Sequence, residues 1–268
     1  MRSRFGQRLL GAYVTLILLF LFTPTVVIVL ASLTRTQFIV FPPRGLTLHW
    51  YAALLQHRDF LSSLGLSMVV ALGTALVATT LGTLGAFALA RYRLRGRELV
   101  QQLFNAPLLI PSVVLGVALL QWYTHIHLAA SVAALVIGHV VLSLPFVVRL
   151  VSASLAGYDR TLERAAANLG ANAWQVFFRL TLPLIRAGVI AGALFSFVTS
   201  FDDLTVALFV VSTNVVTLPV RIFTYMQFNY DPTITSISTV MVILTLGAML
   251  LMERVLGMSR IFGVADAE

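Results

Sequence analysis

Six stretches of this chain are apolar over about the 18 to 25 residues that a helix needs to cross a bilayer. They run Leu9–Ser32, Leu61–Ala90, Leu103–Tyr123, Leu128–Leu150, Leu184–Val211 and Ile234–Met252. In hydrocarbon, backbone N–H and C=O groups find no water, so such segments fold as helices that satisfy their own hydrogen bonds. The expectation is an all-α, polytopic membrane protein with six transmembrane helices. Composition excludes the soluble alternative: charged residues make up 10% of the 268, against about a quarter in an ordinary soluble domain. Mean hydropathy is +0.95. Arg2, Arg4 and Arg8 ahead of the first stretch have the look of a secretory signal. The run behind them exceeds the length of a signal's apolar region and five more follow, which favours a retained first helix.

The chain has no Cys, which excludes disulfides, thiolate metal sites and cysteine nucleophiles. All 18 basic residues are Arg, so a phosphate loop of the Walker type, which requires Lys, is excluded as well. Fourteen of the arginines fall at the two termini and in the loops after the second and fourth spans, namely Arg2, Arg4, Arg8, Arg91, Arg93, Arg95, Arg97, Arg149, Arg160, Arg164, Arg179, Arg186, Arg254 and Arg260. Arg35, Arg44, Arg58 and Arg221 fall on the other side. By the positive-inside rule both termini are expected in the cytoplasm. The same distribution accounts for the net charge of +8 without nucleic acid.

Outside the spans, Pro42-Pro43-Arg44-Gly45 marks a turn, and Thr47 stands where it would cap a short helix carrying Trp50 and Tyr51. Trp50 reads either as an interfacial anchor or as a contact to substrate or a docked partner. Small residues in span two, such as Ala78 and Gly82, permit close helix packing. Pro107 and Pro111 interrupt span three, where a kink beside a watery cavity is tolerated.

The segment 157–183 is too polar to cross the bilayer, yet Leu162, Ala165, Ala166 and Leu169 recur at helical spacing and Gly170 fits a helix end. A second short helix is expected from about Asn172 to Leu182, with Trp174, Phe177 and Phe178 as apolar anchors. An amphipathic helix of this kind lies on a membrane or fills a groove on a partner, and the paired small alanines favour the partner.

The run Glu163-Arg164-Ala165-Ala166, then Gly170, then Leu180-x-Leu182-Pro183 resembles the EAA loop of ABC importer permeases. The usual pattern has Glu directly before the alanines; here Arg164 stands there and Glu163 precedes it. The resemblance implies a type I ABC importer permease fold, a single permease domain over 1–268, and a coupling helix within 157–183 seated in an ATPase subunit. It assigns Glu163, Arg164, Ala165, Ala166, Gly170 and Pro183 to that coupling. It also implies a second homologous permease, a cytoplasmic ATPase dimer that binds ATP and Mg, an extracytoplasmic solute-binding protein, no cofactor in this chain, and a bacterial cytoplasmic (inner) membrane. Leu46-Thr47-Leu48-His49-Trp50-Tyr51, Pro107-x-x-Ile110-Pro111 and Ser196–Asp203 resemble the second permease of spermidine/putrescine-type importers. Where polyamine permeases tend to carry an acidic residue after Ile-Pro, this chain has Ser112, which joins the expected substrate pathway with Trp50, Ser200, Asp202 and Asp203.

Asp202 and Asp203 lie in the fifth apolar stretch, and carboxylates inside a membrane default to function. Ser196, Thr199, Ser200 and Asp203 fall at i, i+3, i+4 and i+7, so a continuous helix would put Asp203 on a polar pathway face and turn Asp202 toward a neighbour. The alternative is a pair that caps a helix break. His139, in mid-span, reads as a helix-packing hydrogen bonder. The function expected is the membrane-spanning half-pathway of an ATP-driven importer of a small solute, a polyamine or related organic amine, and no enzyme. An ion-coupled secondary transporter using the Asp pair is the alternative. An intramembrane hydrolase built on Ser143 and His139 is the third, and it lacks an evident oxyanion loop.

Overall fold

The computed structural model describes residues 4–92 and 95–256; Arg2, Arg93 and Arg260 of the arginine tally lie outside the described residues. In chain order the helices are α1 (Arg4–Ala31), α2 (His49–Leu54), α3 (Arg58–Arg91), α4 (Arg97–Asn105), α5 (Ser112–His125), α6 (Val132–Ala156), α7 (Thr161–Asn168), α8 (Ala173–Val176), α9 (Leu182–Leu184), α10 (Arg186–Asp202), α11 (Thr205–Val210), α12 (Leu218–Met226) and α13 (Thr233–Leu256). Among the described residues the β contact is a single bridge between Thr34 and Leu46. The apolar stretches thus fold as the all-α membrane architecture expected from them.

Four helices are long and apolar enough to cross a membrane, and six spans result if each of two bent pairs counts as one. The bends revise the expected spans three and five. Span three, expected over Leu103–Tyr123 with an interruption at Pro107 and Pro111, is bent there: Arg97–Leu108 meets Ser112–His125 at 101°. Two prolines explain it. Pro107 sits in a 3₁₀ turn, and Pro111, itself extended (φ −53°, ψ 131°) just ahead of α5, disfavours helical backbone at Ile110. In the fifth stretch Ala173–Leu184 meets Arg186–Asp202 at 73°. The helix then stops at Asp202 instead of running to Val211, because Asp203 is extended (φ −68°, ψ 120°). The fourth span begins at Val132, not Leu128, since His127 and Ala130 take positive φ in the preceding turn.

The chain divides into two compact units, one formed by residues up to Leu61 with Arg221–Leu244, the other by Ser62–Val220 with residues from Thr245 on. In the first, α1 turns Leu16 and Phe20 outward, as suits a helix face against lipid. Its loop to α2 is fastened by polar contacts: Ser32 Oγ and Tyr51 Oη lie 2.6 Å apart, and Thr47 N–H donates to the Leu33 carbonyl at 2.8 Å.

The second unit packs α10 along α6 and α3. Gly188 makes that approach possible, because a Cβ there would stand 2.7 Å from the Leu150 carbonyl oxygen and 2.8 Å from Ser154 Cβ. Small residues at crossings are how helix backbones come close in lipid, where the hydrophobic effect between helices is missing. Ala78, Val147, Val151 and Ile185 fill one apolar cluster of this unit, and Val70, Leu119, Leu135 and Val206 belong to another.

Candidate functional site

Two places in the second unit bring predicted residues together. The first is the polar segment after α6. Asp159 opens it: its carboxylate accepts the Thr161 hydroxyl at 2.6 Å and the Thr161 N–H at 2.9 Å. Those bonds, with Arg164 nearby, hold the Asp159 carboxyl below its ordinary range. After α7, Gly170 takes φ +90°, a left-handed conformation natural to glycine, and reverses the chain. Asn172 and Gln175 then form a capping box at 2.9 Å in both directions, starting the second helix where the sequence placed it.

Among polar neighbours this hairpin shows large apolar side chains outward. Leu169 is 89% and Trp174 71% exposed, and the Trp174 ring stacks on Phe178 at 5.4 Å. Arg164 and Ala165 are exposed with them, Ala166 is half-buried and Pro183 is exposed. Ala166, Leu169, Gly170 and Val176 border a hollow of about 300 Å³. Exposed apolar side chains gathered on one surface are of the kind that meets a protein partner or a membrane.

Glu163 faces the other way. Its carboxylate pairs with Arg91 at 2.8 Å and accepts the Thr181 hydroxyl at 2.9 Å and the Tyr158 hydroxyl. Arg91 also donates to Tyr158 Oη at 2.6 Å and lies 5.2 Å above the Tyr158 ring. The cluster bolts the hairpin to the end of α3. Sequence reasoning missed it, since Arg91 and Tyr158 carried no signal beyond charge and aromaticity. Of the six residues assigned to coupling, the structure thus sets Glu163 into a brace and leaves Arg164 as the charged group on the outer face.

The second place is a buried polar seam where α3, α6 and α10 meet. His139 is fully buried; its Nδ1 lies 2.7 Å from Ser200 Oγ and its Nε2 3.4 Å from Asp203 Oδ2. Ser200 donates to Thr74 Oγ1 at 3.3 Å, and Ser196 donates to Ser143 Oγ at 2.9 Å. Ser143 donates to the backbone carbonyl of His139, not to its ring, so the Ser143–His139 catalytic pairing is not made.

This seam reverses the expected orientation of the two carboxylates. Because the helix ends at Asp202, the i+7 projection from Ser196 does not reach Asp203. Asp203 turns inward to His139 and its carboxylate accepts the Ala207 N–H at 2.9 Å, capping α11 across the break. Asp202 is the exposed carboxylate. Ser196 and Ser200, expected on an open polar face, are 0% and 4% exposed. Ser112 is exposed at the start of α5. Trp50, in the first unit, is half-buried and donates its indole N–H to the Thr34 carbonyl at 2.9 Å. Among the described residues no group of three His, Asp or Glu side chains is placed to hold a metal ion.

Comparison with known proteins adds a family. Residues 78–258 match the family described as the binding-protein-dependent transport system inner membrane component. The spermidine/putrescine transport system permease protein PotC of Escherichia coli (strain K12) is 30% identical over 241 residues, 90% of this chain and 91% of that protein. The putrescine transport system permease protein PotI of the same organism is 33% identical over 227 residues, 82% and 80% of the two chains. A subunit in the crystal structure of a bacterial ABC transporter that imports the acidic polysaccharide alginate shares the fold, with a TM-score of 0.75 at 14% identity over 95% of this chain and 98% of that one.

Proposed function

The chain belongs to the family of binding-protein-dependent transport system inner membrane components, the permease subunits of ABC importers, and on that premise we propose that it forms half of the pathway for a polyamine or related organic amine. The observation that carries this reading is the outward apolar knob of Leu169 and Trp174 on a capped, glycine-hinged hairpin whose inner side is bolted to α3 through Glu163 and Arg91. A rigid tie between a docking surface and a membrane helix is what a lever requires. The whole chain serves as one permease domain, with 157–183 as its coupling loop and both termini in the cytoplasm.

The partners are a second permease of the same family, a cytoplasmic ATPase dimer that binds ATP and Mg and performs the hydrolysis, and an extracytoplasmic solute-binding protein, in a bacterial inner membrane. The names of PotC and PotI support an amine as solute. Asp202, an exposed carboxylate at the end of α10, supplies the charge that a cationic solute meets in passing, with Ser112 as a polar neighbour of that route. Asp203 and Ser200 hold the helix break instead.

Reconstitution with the ATPase and the solute-binding protein tests the proposal. ATP hydrolysis stimulated by the loaded binding protein is expected, and Trp174→Asp with Leu169→Asp is expected to abolish the stimulation by releasing the ATPase. Amine uptake by this chain alone, driven by an ion gradient, would overturn the importer reading.

A further inference from the structure

A cavity of about 570 Å³ opens where α3 ends, α4 begins and α6 approaches its end. Arg91, Arg97, Arg149 and Arg160 line it, with no carboxylate among the described lining residues. Glu163 neutralises Arg91. The other three have no counter-ion among the described residues: Arg149 donates to Asn105 Oδ1 at 2.9 Å, Arg160 donates to the Ala90 carbonyl, and Arg97 meets no acceptor. Glu98 lines a neighbouring hollow that shares Arg97 and Gln101.

The surroundings say what anion suits this place. Arg91 and Ala156 end two helices that are apolar and long enough to span a bilayer, so the cavity lies beside the ends of two candidate spans, and its arginines suit head-group level better than hydrocarbon. Beside it, α4 turns Leu99 and Leu103 outward at i, i+4, 62% and 63% exposed. Guanidinium groups over neutral amides match a phosphate through paired N–H donors. Basic recesses between membrane helices at head-group level hold anionic lipids. We propose that this cavity binds the phosphate head group of an anionic phospholipid, with Arg97 and Arg149 on the phosphate and Leu99 and Leu103 against the acyl chains. Coupling to the ATPase does not enter this inference.

The test uses the full chain in its assembled transporter, carried into phosphatidylcholine bilayers with and without phosphatidylglycerol and read by native mass spectrometry. The expected result is selective retention of phosphatidylglycerol, reduced roughly fivefold for each arginine removed in Arg97→Gln and in Arg97→Gln with Arg149→Gln. Among the described residues Arg97 has no partner to lose, so the single variant remains informative if the double one misfolds. Arg186→Gln, outside the cavity, is expected to retain lipid like the unsubstituted chain. Equal retention in the Arg97→Gln variant would overturn the proposal. So would displacement of the lipid by millimolar inorganic phosphate, which gives the site to a free anion. Loss of the ATPase subunit from the variant with lipid retention unchanged would assign the arginines to a protein partner and overturn it too.

Discussion

Arg91 and Glu163, 72 residues apart in the chain, meet in a 2.8 Å ion pair that leaves their side chains 11% and 16% exposed. The pair joins the end of a membrane helix to the hairpin proposed to receive force from the ATPase. Removing one partner strands a charge in a poorly hydrated place, which costs about 3 kcal/mol. Arg91→Gln and Glu163→Gln are each expected to lower the thermal unfolding midpoint. The double variant is expected to lose less than the sum, with a coupling of about 1 kcal/mol or more. Additive losses in a double-mutant cycle would remove the brace from the lever.

The two adjacent carboxylates are expected to separate cleanly by substitution. Asp203→Ala deletes the acceptor of the Ala207 N–H, and loss of such a cap destabilises by about 1 kcal/mol; the measurement is thermal stability. Asp202→Asn leaves stability in place and lowers amine uptake, read in the reconstituted transporter. The opposite pattern would return Asp203 to the pathway.

Gly170 permits a test of the hinge without steric confusion, because a Cβ there would meet nothing within 4 Å. The cost of Gly170→Ala is then the left-handed backbone alone, about 1 to 2 kcal/mol. Asn tolerates that conformation, so Gly170→Asn is expected to keep more of the stimulated ATP hydrolysis than Gly170→Val. Equal activity in all three variants would show that the bend is not what transmits motion.

In the first unit, Tyr225 Oη donates to Asp231 at 2.6 Å, and the Thr233 N–H donates to the same carboxylate at 2.8 Å. Burial, then the bond and charge of Asp231, push the Tyr225 phenol up to about 12. Asp231 is partly buried, which works to raise its pKa, but the hydrogen bonds from Thr233 and Tyr225 prevail and hold it below the usual carboxylate range. The raised phenol stabilises fully below its unfolded value near 10, and that contribution fades as pH climbs toward about 12. The depressed carboxyl stabilises above about 4, and its contribution fades as pH falls through its lower folded value. Phenolate absorbance of the unsubstituted chain minus that of Tyr225→Phe is expected to titrate near 12; titration at the ordinary tyrosine value would contradict the burial argument.

Gly188→Ala is expected to be among the more damaging small substitutions. Its methyl would press on the Leu150 carbonyl, which belongs to the α6 backbone and cannot rotate away. Overpacking of this kind costs about 1 to 3 kcal/mol. Ser154→Ala on the same background is expected to rescue only part of it, measured as yield of folded protein.

By itself the sequence determined that the chain is helical and crosses a membrane, because apolar length answers to bilayer thickness and needs no knowledge of neighbours. It determined the capped hairpin as well, since Gly170 and the Asn172–Gln175 box act over a few residues. Tertiary structure decided the rest. Pro107 and Pro111 mark the turn at Ile110 in the sequence, but the turns at Ile185 and Asp203 lie within a continuous apolar stretch, and hydropathy does not record where a backbone bond is given up. Whether Glu163 faces a partner or Arg91, and whether Asp202 or Asp203 is the free carboxylate, depended on groups brought close from distant parts of the chain. A buried charge is satisfied by whatever packing places beside it, and spacing along one helix carries no trace of that.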